Sequence, residues 1–229
     1  MAAGAWFPDQ IEGETVVLRR HAPANLAAFR RWYADAEVAR LARYQDGPMR
    51  LDEIDRFFQV RALGPESLAM AIHVRGTDRL IGSCAFSQLD GDNGSVVYHI
   101  TIGEKDAWGH GYGTEATALM VDHAFRALGL HRVALSVFEF NERAIRAYRR
   151  CGFQVEGRAR QAIWRDGRWW DEIGMSVLAS EWRGRPAPRH ASVREGLPAR
   201  ERLARAERER QAERPGTRME EPATGAGSR

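Results

Sequence analysis

The apolar positions along the chain follow two periods, and the switches between them mark out the elements. Thr15 to Arg19 (TVVLR) has β-branched residues, which predicts a strand. After Pro23 the run NLAAFRRWYAD places Leu26, Phe29, Trp32 and Tyr33 on one helical face, and AEVARLA reads as a second, short helix. A third opens near Asp52, with Ile54, Phe57, Phe58 and Ala62 at helical spacing until Gly64-Pro65 stops it. Three alternating segments come next, SLAMAIHVR, RLIGSCAFSQL and GSVVYHITIG, separated by turn residues, and they predict an antiparallel meander. Gly113 to Leu128 returns to the helical period, with Ala116, Leu119, Met120, His123, Phe125, Ala127 and Leu128 on the buried side and Gly129 at its end. HRVALSVFEF alternates as a strand. Asn141 then caps a helix running to Cys151, and Gly152 ends it. The last segment is two strands around Asp166-Gly167. Helices interleaved with a mixed sheet predict an α/β (α+β) domain.

Composition sets the limits of that domain. The 229 residues are 44% hydrophobic and 28% charged, the profile of a globular protein with room for one domain and an extension. No apolar run approaches the roughly 18 residues of a membrane span, and MAAGAWFPDQ lacks the regions of a secretory signal, so a cytoplasmic protein with no membrane partner is expected. Cys84 and Cys151 are far apart, which leaves neither a disulfide framework nor a cysteine zinc site.

The chain has 34 basic and 31 acidic residues, but the excess is local. Residues 185–229 hold 11 Arg, no Lys and 7 Glu, which leaves 23 basic against 24 acidic groups before them. The same stretch holds five of the nine prolines and no aromatic residue. Ordering it costs roughly 1 to 2 kcal/mol per residue, against few large apolar side chains, so it is expected to be mostly disordered, apart from a marginal helix around Glu201 and Arg205. The predicted organisation is a domain over residues 1–184 and a tail over 185–229. A near-neutral domain argues against nucleic acid as a partner except through that tail.

Candidate chemistry concentrates where the strand HITIG hands over to a helix through Trp108-Gly109-His110-Gly111-Tyr112-Gly113-Thr114-Glu115. Alternate glycines bare successive backbone N–H groups at a positive helix end, an arrangement that suits an anion; a merely tight turn is the competing explanation. No Lys follows as in a nucleotide-binding P-loop, and G-x-G-x-G is not the dinucleotide fingerprint.

This loop, then N141-E142-R143-A144-I145-R146-A147-Y148 and C151-G152-F153 in register, resembles the GNAT superfamily of acyl-CoA-dependent N-acetyltransferases. The branch most similar acetylates ribosomal-protein N-termini and polyamines. The resemblance covers roughly Thr15 to Trp182 and implies a V-splayed sheet whose strands HITIG and VALSVFEF part to admit pantetheine. It implies main-chain groups of Ile100, Thr101 and Ile102 pairing with that arm, and His110, Gly111, Tyr112, Gly113 and Thr114 around the pyrophosphate. Asn141 would stand beside the pantetheine while capping its helix. Acetyl-CoA is the implied co-substrate, with no metal, and the acceptor a primary amine: a protein N-terminus, a polyamine or another small amine. The resemblance implies that Tyr148 would protonate the departing thiolate, since a phenol with pKa about 10 holds its proton at neutral pH. A homodimer is a further implication.

Other positions stay open at this level. Relatives often carry an acid at the position of Val97; here His99, His73 and Glu139 are the candidate bases, with a water relay as the alternative. His110 and Ala107 depart from the basic and aromatic residues common there. Arg146 and Arg149 fall near the adenosine end or on the surface. The cluster Trp164, Trp169, Trp170 and Trp182 is expected to close a core rather than line an acceptor pocket. The alternative function is a catalytically weak CoA-binding sensor or scaffold.

Overall fold

The computed structural model describes residues 7–182, so the expected tail and its boundary at Gly184 lie outside the described residues. The elements run β1 (Gln10–Glu12), β2 (Val16–Arg20), α1 (Leu26–Ala34), α2 (Ala36–Ala42), α3 (Leu51–Arg61), β3 (Leu68–Val74), β4 (Arg79–Asp90), β5 (Ser95–Ile102), α4 (Tyr112–Asp122), β6 (Arg132–Phe138), α5 (Glu142–Arg150), β7 (Gln154–Arg165), β8 (Arg168–Leu178) and α6 (Ala179–Trp182). The strands form one mixed sheet in the order β1-β2-β3-β4-β5-β6-β8-β7. Only β5 and β6 run parallel; every other pair is antiparallel. The expected meander is β3-β4-β5, and the expected turn joins β7 to β8 with positive φ at Asp166 (55°) and Gly167 (74°). β1 is additional: three residues with one apolar position, Ile11, show no period in the sequence.

Alternation along β5 sends neighbouring side chains to opposite faces. Tyr98 turns to the face under α4, where its hydroxyl donates to Thr117 Oγ1 at 3.2 Å; Thr101 turns to the face under α1, 3.4 Å from the Tyr33 hydroxyl. Each face has its own core. Leu119, Met120, Val133 and Met175 are fully enclosed on the first, while Phe29, Trp32, Ile54 and Phe58 pack on the second.

The helix expected over Gly113 to Leu128 is not continuous. From His123 to Ala127 the chain makes a π-helical turn, closed by the Leu128 N–H donating to the His123 carbonyl at 3.1 Å. The wider turn rotates the residues beyond it about the helix axis. Ala124 and Leu128 face the core, as Val121 does before the turn, while His123, Phe125 and Ala127 are only half-buried.

The end of β5 is tied to α1 by a close approach. Gly103 donates to the Ile81 carbonyl at 2.9 Å, and a Cβ on it would lie 2.1 Å from atoms of the Trp32 ring. The Trp32 indole is itself held by Glu104 at 2.8 Å. Gly103→Ala is therefore expected to cost about 1 to 3 kcal/mol through overpacking, read as a lowered thermal midpoint. An unchanged midpoint would mean that α1 yields freely. Among the described residues no helix is long and apolar enough to cross a membrane.

Candidate active site

β5 and β6 are paired only from Ser95 to Val97 against Arg132 to Ala134, and beyond that they part. β4 stays paired with β5 as far as Ile102, and β8 with β6 as far as Phe138, so the opening is confined to the middle of the sheet. The Gly103 amide bonds to β4, so in an antiparallel pair Thr101 and His99 turn their backbone groups to β4 as well. Tyr98, Ile100 and Ile102 turn theirs into the opening. One of those groups is taken, since the Trp108 indole donates to the Ile102 carbonyl at 2.7 Å. Thr101 thus faces the site with its side chain while its amide and carbonyl serve the sheet. A cleft of about 1810 Å³ fills the opening and spans both faces of the sheet, large enough for an extended molecule and a second one meeting it.

At one end of the cleft lies the N-terminus of α4. Gly109 (φ 83°) and Gly111 (φ 86°) take left-handed conformations that favour glycine, and Gly111 is the helix N-cap with no side-chain cap bond. The first amide to bond back is that of Glu115, to the Gly111 carbonyl at 3.0 Å, so the amides of Tyr112, Gly113 and Thr114 stand at a positive helix end without helical partners. Gly111, Tyr112, Gly113 and Thr114 border the cleft. The His110 side chain does not border it: the ring is exposed, with Nδ1 at 3.0 Å from the Trp108 carbonyl.

α5 forms the adjoining wall. Asn141 caps it by accepting from the Ala144 N–H at 3.2 Å and also borders the cleft. Tyr148 lies about two turns along the same helix, 7% exposed, bordering the cleft and packed on Phe153 with ring centroids 5.8 Å apart. Burial, and secondarily Cys151, push its phenol well above 10.0, so it stays protonated. Its hydroxyl makes no hydrogen bond to the described residues. Arg143, on the first turn, lies 3.7 Å over the Trp108 ring and joins α5 to the glycine loop. Arg146 borders the cleft and pairs with Glu142 at 3.0 Å; Arg149 does not border it.

Residues 15–154 match the family model described as an acetyltransferase (GNAT) domain. The chain belongs to the GNAT acetyltransferase family. It is an acyl-CoA-dependent N-acyltransferase by that membership, and its relatives carry the same activity in their names. An uncharacterized N-acetyltransferase p20 of Bacillus licheniformis is 27% identical over 174 residues, 75% of this chain and 97% of its own. An L-methionine sulfoximine/L-methionine sulfone acetyltransferase of Pseudomonas aeruginosa is 25% identical over 166 residues, 71% of this chain and 94% of its own. A spermidine N-acetyltransferase of Vibrio cholerae, solved with CoA and spermine, shares the fold with a TM-score of 0.63 at 20% identity, covering 73% of this chain and 98% of that one.

Within this GNAT domain the candidate bases separate by position. His99 borders the cleft, with Nε2 2.6 Å from Ser87 Oγ. Surrounding protein lowers its pKa from 6.5, and Arg61 adds a smaller push, so it is neutral at pH 7. His73 does not border the cleft and bonds the Asp78 carbonyl at 3.0 Å through Nδ1. Glu139 also points elsewhere, accepting from Arg158 at 2.8 Å and from the Asp171 N–H at 3.3 Å. The tryptophan cluster corrects the expected core: Trp182 is buried, but Trp164 and Trp169 are 51% and 54% exposed at the hairpin tip, beyond the reach of the sheet's cores.

The opposite wall of the GNAT cleft includes the loop between α2 and α3, and sequence reasoning missed what holds it. Arg165, 1% exposed, donates through Nη2 to the carbonyls of Arg43, Tyr44 and Gln45 at 3.0, 3.2 and 3.2 Å and lies 3.3 Å from Asp46. The Tyr44 hydroxyl donates to Glu172, and its ring packs edge-on against Phe138, 5.3 Å between centroids. A lone arginine in a hairpin gives no local signal of such contacts.

Proposed function

We propose that this chain moves an acetyl group from acetyl-CoA to a primary amine, with Tyr148 as general acid and His99 as general base. The observation that carries the reading is the junction in the cleft: an open β5 edge, an uncapped helix start and a protonated buried phenol border one space. Acetyl-CoA supplies an activated acetyl thioester. The open backbone groups of Ile100 suit an extended amide-bearing arm laid along β5, with the Thr101 side chain and Asn141 beside it. The loop from His110 to Thr114 offers its amides to the pyrophosphate. The Ile102 amide, turned into the opening, polarises the thioester carbonyl. Tyr148 gives its proton to the leaving sulfur, and His99 takes the proton that the attacking amine must lose. No metal is assigned a role.

The fold neighbour from Vibrio cholerae binds CoA and a polyamine, and the Pseudomonas relative acts on amino-acid derivatives, so both support an amine acceptor. Cys84 and Cys151 are buried and unbridged, in keeping with a reducing cytoplasm. Residues 1–184 would be the catalytic unit and 185–229 an appendage.

The test is release of free CoA from acetyl-CoA with a panel of primary amines. Turnover is expected to hold steady around neutrality. It should fall about tenfold per pH unit as acid carries the solution through the lowered His99 pKa, because only the neutral imidazole accepts a proton. His99→Gln should remove that acid limb. No CoA release above background with any amine would contradict the proposal.

A further inference from the structure

The two named relatives act on acceptors of opposite character, a polycation and an amino-acid-like zwitterion, and the charges at the acceptor end of the cleft choose between them. That end lies on the α1–α3 side, around His99. Its ionisable neighbours on the cleft wall are Arg43, Glu53, Arg61 and Glu66. Arg43 is spent on the Gly47 carbonyl at 2.7 Å, the Glu53 carboxylate accepts from the Arg50 N–H at 3.1 Å at the start of α3, and Glu66 is engaged with a partner of its own. Arg61, the last residue of α3, is exposed, and its guanidinium has no ion-pair partner among the described residues. It also shares with His99 the lining of a second, smaller pocket. Between α3 and the sheet the wall is apolar, with Phe57 half-buried and Val60 65% exposed.

Both acids on this wall, Glu53 and Glu66, are already engaged, so an acceptor with several ammonium groups would meet no unengaged carboxylate there and would be repelled by Arg61. We infer that the acceptor is an amino-acid-like zwitterion whose carboxylate is bound by Arg61, with its amine at His99 and an apolar side chain against Phe57 and Val60. This rests on the transferase reading above. A guanidinium matches a carboxylate with paired N–H donors, so Arg61 selects for the acid as well as binding it.

The experiment compares kcat/KM of the full chain for L-phenylalanine and L-methionine sulfone, for their α-amides, and for spermidine, following CoA release. The acids should exceed their amides by roughly ten- to hundredfold, through KM, the worth of a hydrogen bond between charged groups. Arg61→Gln should bring acid and amide to near equality, and Arg61→Lys should keep part of the difference. Arg61 is exposed, and a thermal midpoint of each variant near that of the parent chain verifies folding. Amides as good as acids, an equal loss for both in Arg61→Gln, or turnover of spermidine with none of the acids would overturn the inference while leaving the transferase standing. No CoA release with any acceptor, joined to no binding of acetyl-CoA, would be failure of the transferase reading itself, and the inference falls with it.

Discussion

Tyr148→Phe is expected to lower kcat by about a hundred- to ten-thousandfold, the usual worth of a positioned general acid, while leaving acetyl-CoA binding and the thermal midpoint nearly unchanged. The ring is buried against Phe153, and Phe fills the same space. Among the described residues the hydroxyl bonds to nothing that its loss would orphan. What disappears is the proton. Burial holds the phenol above its ordinary 10.0, so in the parent chain that proton is available throughout the neutral range and any alkaline fall in rate lies above the usual tyrosine range. Comparable kcat in the two proteins would remove Tyr148 from the chemistry. Comparable loss of kcat and of acetyl-CoA affinity would make it a binding residue instead.

Arg165→Met should destabilise the chain by about 2 to 4 kcal/mol, a fall in thermal midpoint of roughly 5 to 12 °C for a domain of this size. Methionine fills the stem's volume but donates nothing, so the carbonyls of Arg43, Tyr44 and Gln45 lose their shared donor and Asp46 its cation. The loop carries Tyr44 and Gln45 into the cleft wall, so KM for the amine should rise more than KM for acetyl-CoA. Arg165→Lys should recover only part of the stability, because a single ammonium cannot place its donors as the planar guanidinium does. Denaturation and a two-substrate KM comparison check this together. A normal midpoint with normal KM values would show that the loop is held from elsewhere.

These two residues mark where local sequence stops being informative. Tyr148 is found from its own neighbourhood, because Asn141, the helical spacing after it and Gly152 fix the phase of α5 and leave one tyrosine on the sheet side. The glycine loop is similarly local: left-handed turns at Gly109 and Gly111 require what the sequence displays there. β2 is legible from its β-branched residues, β3 to β6 from strand-like segments between turn residues, and β7 and β8 from the Asp166-Gly167 turn. Arg165 is different. It reaches carbonyls 120 or more positions away, and no period or turn residue announces that. The same holds for the backbone facing of β5, where Thr101 serves β4 while Ile100 and Ile102 serve the opening; that depends on register with another strand. The π-helical turn at His123–Ala127 broke the assumed 3.6-residue phase, and the exposed pair Trp164 and Trp169 broke the equation of large aromatics with core, because the hairpin extends past the layers that would cover its tip.

The most direct measurement is the thermal midpoint of the full chain with and without saturating acetyl-CoA, with NAD and ATP as controls. A ligand held a hundredfold above its dissociation constant adds about 2.7 kcal/mol, which for a domain of this size raises the midpoint by roughly 5 to 10 °C. That rise is expected for acetyl-CoA and for neither control, and replacing Gly111 by Val, which strains a left-handed position at the helix start, should weaken it. No shift with saturating acetyl-CoA would contradict the account at its centre, because the parted strands, the helix start and Tyr148 would then border a cleft that does not take the acetyl donor.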